Sequence, residues 1–218
     1  MCACAALAGD PAPIPDRLAL WLVVPVKPLA EGKSRLAGVI PAAARADLSR
    51  RWLTHLLQTA QQWGGFAGVA VVSRDPAVWA LAQTFGAQPI VERGVARGDD
   101  LNQALAQAQA VALAAGAEAV LVLPADLPCL TVADLAALDR LAAAGPGVVI
   151  APAHDAGTNA LLLRPPGAIA YHFGEGSFAA HVAAATAAHL PCRVVRSKTL
   201  ALDIDLPEDL LILNPSSS

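Results

Sequence analysis

Only three lysines occur in the chain, Lys27, Lys33 and Lys198, and two of them fall with Arg35 inside nine residues that follow a continuous apolar run. The segment reads Val24-Pro25-Val26-Lys27-Pro28 and then Glu31-Gly32-Lys33-Ser34-Arg35-Leu36. Ammonium groups beside backbone N–H donors, just past a strand end, suit a polyphosphate. An ordinary solvated basic loop is the alternative, because short basic loops are a weak signal. A second apolar run ends in Leu123-Pro124-Ala125-Asp126-Leu127-Pro128. A carboxylate at such a tip is either a turn residue or a ligand for a hard cation such as Mg²⁺. The two flanking prolines fix the backbone around it, as a positioned ligand requires.

Near the end of the sequence stands Leu202-Asp203-Ile204-Asp205-Leu206-Pro207-Glu208. Alternation puts Asp203 and Asp205 on one side of an extended segment. Asp205 also fits a helix N-cap, with Glu208 completing a capping box. Asp203 has no such role and is the better second metal ligand. Gly157-Thr158-Asn159 precedes one strand, and Phe173-Gly174-Glu175-Gly176-Ser177-Phe178 precedes a helix. Either these are turn glycines with Ser177 as N-cap, or they form a small phospho-acid pocket at a helix N-terminus.

Other chemistries lack support. There is no GxSxG, P-loop or GxGxxG, and His55, His154, His172, His181 and His189 show no metal-ligand spacing. Cys2, Cys4, Cys129 and Cys192 include no CxxC pair and read as buried or incidental thiols. A net charge of −3, a pI near 5.9 and 4% aromatic residues exclude a nucleic-acid backbone as main partner. No apolar run is long enough to span a bilayer, and the first residues lack a signal peptide's basic region, so a cytoplasmic protein is expected.

The elements that must position these groups alternate along the chain. Strands are expected at 18–26, 68–73, 88–91, 119–123, 148–151, 159–164, 193–196 and 200–204. Helices are expected at 44–63, 78–85, 100–115, after a Thr131 cap, and at 177–189. Either Asp99 or Asp100 would cap the 100–115 helix. Residues 1–17 read as an irregular leader, 18–213 as one domain and 214–218 as an unstructured tail. Apolar strands between amphipathic helices predict an α/β three-layer sandwich with a mixed, mostly parallel sheet. Ligands in such folds sit beyond the carboxyl ends of the strands.

Six segments in this order, VPVKPLAEGKSRL, LNQAL, LPADLPCL, GTNALLL, FGEGSFAAH and DIDLPEDL, make the chain resemble the CofC/FbiD guanylyltransferases of coenzyme F(420) biosynthesis. The resemblance runs from about Leu20 to Leu210. It implies a GT-A-like nucleotidyltransferase fold and transfer of GMP from GTP to phosphoenolpyruvate, with 2-phospho-L-lactate or 3-phospho-D-glycerate as alternative acceptors. It further implies a downstream transferase that takes the product, and is compatible with a homodimer. By its motifs, Lys27, Lys33, Arg35 and Asp126 would be catalytic, and Pro25, Lys27, Lys33 and Asn102 would bind nucleotide. Thr158, Gly174 and Ser177 would bind the phospho-acid, and Asp126 with Asp203 or Asp205 would hold Mg²⁺. The chain departs from the family pattern at Asp100, where glycine is usual, and at Leu206, where threonine is usual. Two other readings stand beside it: a sugar-phosphate or molybdopterin nucleotidyltransferase, and a non-catalytic nucleotide-binding module.

Overall fold

Strands whose side chains are apolar on both faces need cover on both faces. The chain meets that need with a seven-stranded sheet between two helical layers. The structure, a computed structural model, describes residues 17–92, 100–204 and 209. The strands are β1 (Leu20–Pro25), β2 (Gly68–Ser73), β3 (Gln88–Val91), β4 (Ala119–Val122), β5 (Gly147–Pro152), β6 (Thr158–Arg164) and β7 (Cys192–Val194). Their order is β3-β2-β1-β4-β6-β5-β7, and β6 alone runs against the others. This is the mixed, mostly parallel sheet that the alternation of elements predicts.

The period-2 alternation of strand side chains divides the core. Leu20, Leu22 and Val24 of β1, with Leu121 of β4 and Leu162 of β6, pack under α1 (Ala42–Trp63), α2 (Pro76–Thr84) and α4 (Val132–Ala143). Trp21, Val23, Val120, Val122, Leu161 and Leu163 face the opposite way, toward α3 (Asp100–Ala114) and α5 (Ser177–Ala187). The expected Thr131 cap is present, with a full capping box: Asp134 N donates to Thr131 Oγ1, and Thr131 N donates to Asp134 Oδ2.

From β1 the chain passes outward to β2 and β3, then returns to β4 on the other side. The loops after β1 and β4 therefore diverge, leaving a crevice at the carboxyl end of the sheet, the switch point where α/β folds bind ligands. Because β6 is antiparallel to β4, its first residues, Thr158 and Asn159, come to this same end.

Two expected strands differ. The 193–196 strand is observed as Cys192–Val194. Residues 200–204 form no strand, although their alternation is that of one. The hydroxyls of Ser197 and Thr199 bind the Asp134 carboxylate, and Ser197 Oγ accepts from the Thr199 and Leu200 backbone. Local side-chain bonds thus hold the backbone in a turn and away from a ladder. Leu200 and Ile204 still bury, in separate clusters. Residues 1–16 of the expected leader, the tail, Asp99 and the side chain of Asp100 lie outside the described residues.

Candidate active site

The loop after β1 is shaped by its neighbours. Asp75, just past β2, caps α2 through Oδ1, which accepts from Ala77 N at 2.9 Å. Its Oδ2 accepts from Leu29 N, also at 2.9 Å, and so anchors the basic loop to the adjacent strand end. Gly32 lies against α1, where a Cβ would stand 2.8 Å from Ser49 Oγ. Lys33 follows with φ 54°, a left-handed conformation that a non-glycine residue holds only under constraint. Two contacts provide it: the ammonium lies 5.4 Å from the Trp52 ring centroid and ion-pairs with Asp126 Oδ2.

Asp126, at the tip of β4, carries the decisive feature. One oxygen holds Lys33, while Oδ1 is buried and has no hydrogen-bond partner. A buried carboxylate oxygen without a hydrogen-bond partner is costly, and a bound cation would relieve that cost. Asp126 lines a cleft of about 550 Å³ together with Pro25, Lys27 and Lys33. Lys27 is exposed to solvent there, and Arg74 and Glu92 also line the cleft. The donor set fits Mg²⁺, which takes few protein carboxylates and completes its shell with water and phosphate oxygens. Among the described residues no group of three or more His, Cys, Asp or Glu is arranged to hold a metal.

A second group of residues sits at the start of β6 and α5. Thr158 and Ser177 are both buried, and Ser177 Oγ donates to Thr158 Oγ1 at 3.1 Å. His181 is fully buried beside them, with Nδ1 3.2 Å from Thr158 Oγ1 and Nε2 accepting from His172 N at 2.9 Å. Burial first, and the neighbouring His172 second, push the His181 imidazole down to about 4, against a smaller opposing hydrogen bond to the Ser177 backbone. Gly174 and Gly176 are exposed with φ 141° and 65°, and a Cβ on either would meet open space. Gly176 is the N-cap of α5, so Ser177 is the first helical residue and its hydroxyl is used on Thr158, not on a cap.

The structure distributes the expected site residues as follows. Pro25, Lys27, Lys33 and Asp126 share the cleft, and Thr158, Gly174 and Ser177 form the second group. Asn102 does not line the cleft: its amide clamps Phe173, accepting from the backbone N at 2.8 Å and donating to the carbonyl at 3.1 Å. Arg35 is exposed in a 3-10 turn and outside the cleft lining. Asp203 accepts from Asn159 Nδ2 at 3.1 Å and lies 3.3 Å from His154 Nδ1, which ties it to the start of β6. Asp205 lies outside the described residues. Sequence reasoning missed Asp75, Trp52, Asn159 and His181. Only Asp75, an Asp before Pro76, carried a local signal, that of a helix N-cap.

The family described as "Guanylyl transferase CofC like" matches residues 20–214. The chain belongs to this family. Among curated members, a phosphoenolpyruvate guanylyltransferase of Rubrobacter xylanophilus is 44% identical over 91% of this chain and 95% of its own. One of the same name from Chloroflexus aggregans is 42% identical, covering 88% and 95%. A 3-phospho-D-glycerate guanylyltransferase of Colwellia psychrerythraea is 31% identical, covering 90% and 92%. In fold, this CofC-like chain is similar to a candidate nucleotide-diphospho-sugar transferase from Desulfovibrio desulfuricans G20, with a TM-score of 0.70 at 18% identity over 92% of this chain and 90% of that one. It is also similar to CMP:2-keto-3-deoxy-manno-octonic acid synthetase complexed with CTP, with a TM-score of 0.60 at 15% identity over 89% and 96%. The fold is thus that of nucleotidyltransferases.

Proposed function

We propose that this chain transfers GMP from GTP to the phosphate of phosphoenolpyruvate, giving enolpyruvyl-diphospho-5′-guanosine and pyrophosphate for coenzyme F(420) biosynthesis. The observation that carries the reading is the Asp126 tip, with Lys33 on one oxygen and nothing on the other, facing a cleft that also holds Lys27. The names of the relatives supply the acceptor.

An oxygen of the acceptor phosphate bonds to the α-phosphorus of GTP, the bridging α–β P–O bond breaks, and pyrophosphate departs with its electrons. A phosphate is already a competent nucleophile near neutral pH, so no protein base is required. The obstacle is repulsion between two anions, and catalysis is mostly positioning and charge neutralisation. Lys27 and Lys33 neutralise the triphosphate from the basic loop, and Pro25 limits that loop's backbone freedom. Asp126 is the residue that would hold Mg²⁺, with Asp203 or Asp205 as the second carboxylate. Bound there, Mg²⁺ supplies charge neutralisation of the triphosphate and the leaving pyrophosphate. Thr158, Ser177 and the Gly174–Gly176 turn bind the phospho-acid from the β6 side. Asn102 contributes by holding Phe173, and with it the start of that turn. The product passes to a downstream transferase.

The test is pyrophosphate release from each of GTP, ATP, CTP and UTP with each phosphorylated acid. GTP with phosphoenolpyruvate gives the highest kcat/KM on this reading. Turnover confined to sugar phosphates, or nucleotide binding without acceptor-dependent release, contradicts it.

A further inference from the structure

The hydrogen bonds around His181 determine more than its own position. Its Nε2 accepts from His172 N, so that nitrogen carries no proton and the neutral ring must be protonated on Nδ1. The Nδ1 hydrogen lies toward Thr158 Oγ1, with the Ser177 backbone carbonyl as its other neighbour. Ser177 Oγ–H donates to the same oxygen. A threonine hydroxyl has two lone pairs and one hydrogen. While His181 and Ser177 both point a hydrogen at this oxygen, the threonine's own hydrogen is directed to a third group. In a buried site a donor without an acceptor is costly, and an anionic oxygen at the Gly174–Gly176 turn satisfies it. Ring contacts hold His181 in this role, with Phe173 edge-on at 5.0 Å between centroids.

We propose that His181 is a positioning residue that fixes the Thr158 hydroxyl as a hydrogen-bond donor toward an oxyanion of the phospho-acid acceptor. This rests on the acceptor assignment above. It also explains why a histidine stands at a position where no ligand contact is called for: an apolar residue would fill the space but leave Thr158 free to turn its hydrogen inward.

Two near-isosteric variants separate the two ring nitrogens. His181→Asn keeps an N–H near the Nδ1 position and loses the acceptor for His172 N. His181→Gln keeps an acceptor near the Nε2 position and loses the donor to Thr158. His181→Gln raises KM for phosphoenolpyruvate about ten-fold or more, in line with loss of a hydrogen bond to a charged group, while KM for GTP is unchanged. His181→Asn stays closer to wild type in the acceptor KM. Thr158→Val matches His181→Gln, and the double variant is no worse than either single one. Equal acceptor KM values for His181→Asn and His181→Gln, or a parallel rise in both substrates' KM values, overturn the proposal. ¹⁵N NMR of histidine-labelled wild-type protein gives a readout independent of turnover: His181 is protonated on Nδ1 and bare on Nε2 at pH 7. The opposite tautomer or an imidazolium overturns the proposal even in an active enzyme. Wild-type protein that turns over no phospho-acid, yet has the expected tautomer, instead overturns the acceptor assignment.

Discussion

At the level of single residues, the chemistry concentrates on Asp126. Its unpartnered Oδ1 and its bond to Lys33 make it the candidate metal ligand and the counter-charge of Lys33. Asp126→Asn still accepts from Lys33, so the fold is retained, but the amide is a poor cation ligand. Pyrophosphate release falls about 10²–10³-fold, the usual loss when one charge-stabilising group is removed, while the melting temperature measured by circular dichroism stays near wild type. The candidacy of Asp126 was legible from its place between two prolines at the end of an apolar run. The part played by His181 was not, because it meets Thr158 only through a pairing 23 residues apart, and no local pattern encodes that contact. The bond of Asn102 was hidden for a related reason: LNQAL marks the residue as a candidate for nucleotide binding, but no local pattern shows that its amide meets Phe173, across 71 residues.

Among the elements, the loops are held by neighbours as much as by their own residues. Asp75 joins a helix cap and the anchor of the basic loop in one carboxylate. Asp75→Ala costs about 1 kcal/mol through loss of the cap, readable in urea unfolding, and also raises KM for GTP because Leu29 N loses its partner. An unfolding change with an unaltered KM would separate the loop from α2. Asp134 links α4 to the 197–200 turn through Thr131, Ser197 and Thr199. Asp134→Ala breaks this buried set and destabilises by about 2–3 kcal/mol. The strands and helices of the first half were legible because period-2 and helical patterns coincide there with burial. The failure at 200–204 arose because alternation cannot reveal that nearby hydroxyls capture a remote carboxylate.

For the molecule as a whole, buried titrating groups set the acid limit. His181 has an ordinary value of 6.5 and is held down to about 4 in the fold, chiefly by burial. Between those values the unfolded chain binds a proton that the folded chain does not, so stability falls as pH falls, by about 3 kcal/mol once both limits are passed. Asp134 adds to this at lower pH. Burial is its largest influence and alone would raise it, but hydrogen bonds from Thr131, Ser197 and Thr199 together hold it below 3.8. Its stabilisation is present above that value and is lost as pH falls through the folded one. Calorimetric melting temperatures therefore drop from pH 6.5 to 4, and His181→Asn flattens the drop. An equal slope in wild type and variant would remove His181 as the cause. The layered α/β architecture was legible because both-face apolar strands leave few other arrangements. The crevice itself follows from strand order, with β1 beside β4, which no single segment states.

The most direct test of the guanylyl-transfer assignment is mass spectrometry of the product formed from GTP and Mg²⁺ with an equimolar mixture of phosphoenolpyruvate, 2-phospho-L-lactate and 3-phospho-D-glycerate. The account predicts enolpyruvyl-diphospho-5′-guanosine as the dominant species, lost in Asp126→Asn. No guanylylated acid, or an undiminished yield from Asp126→Asn, would contradict it.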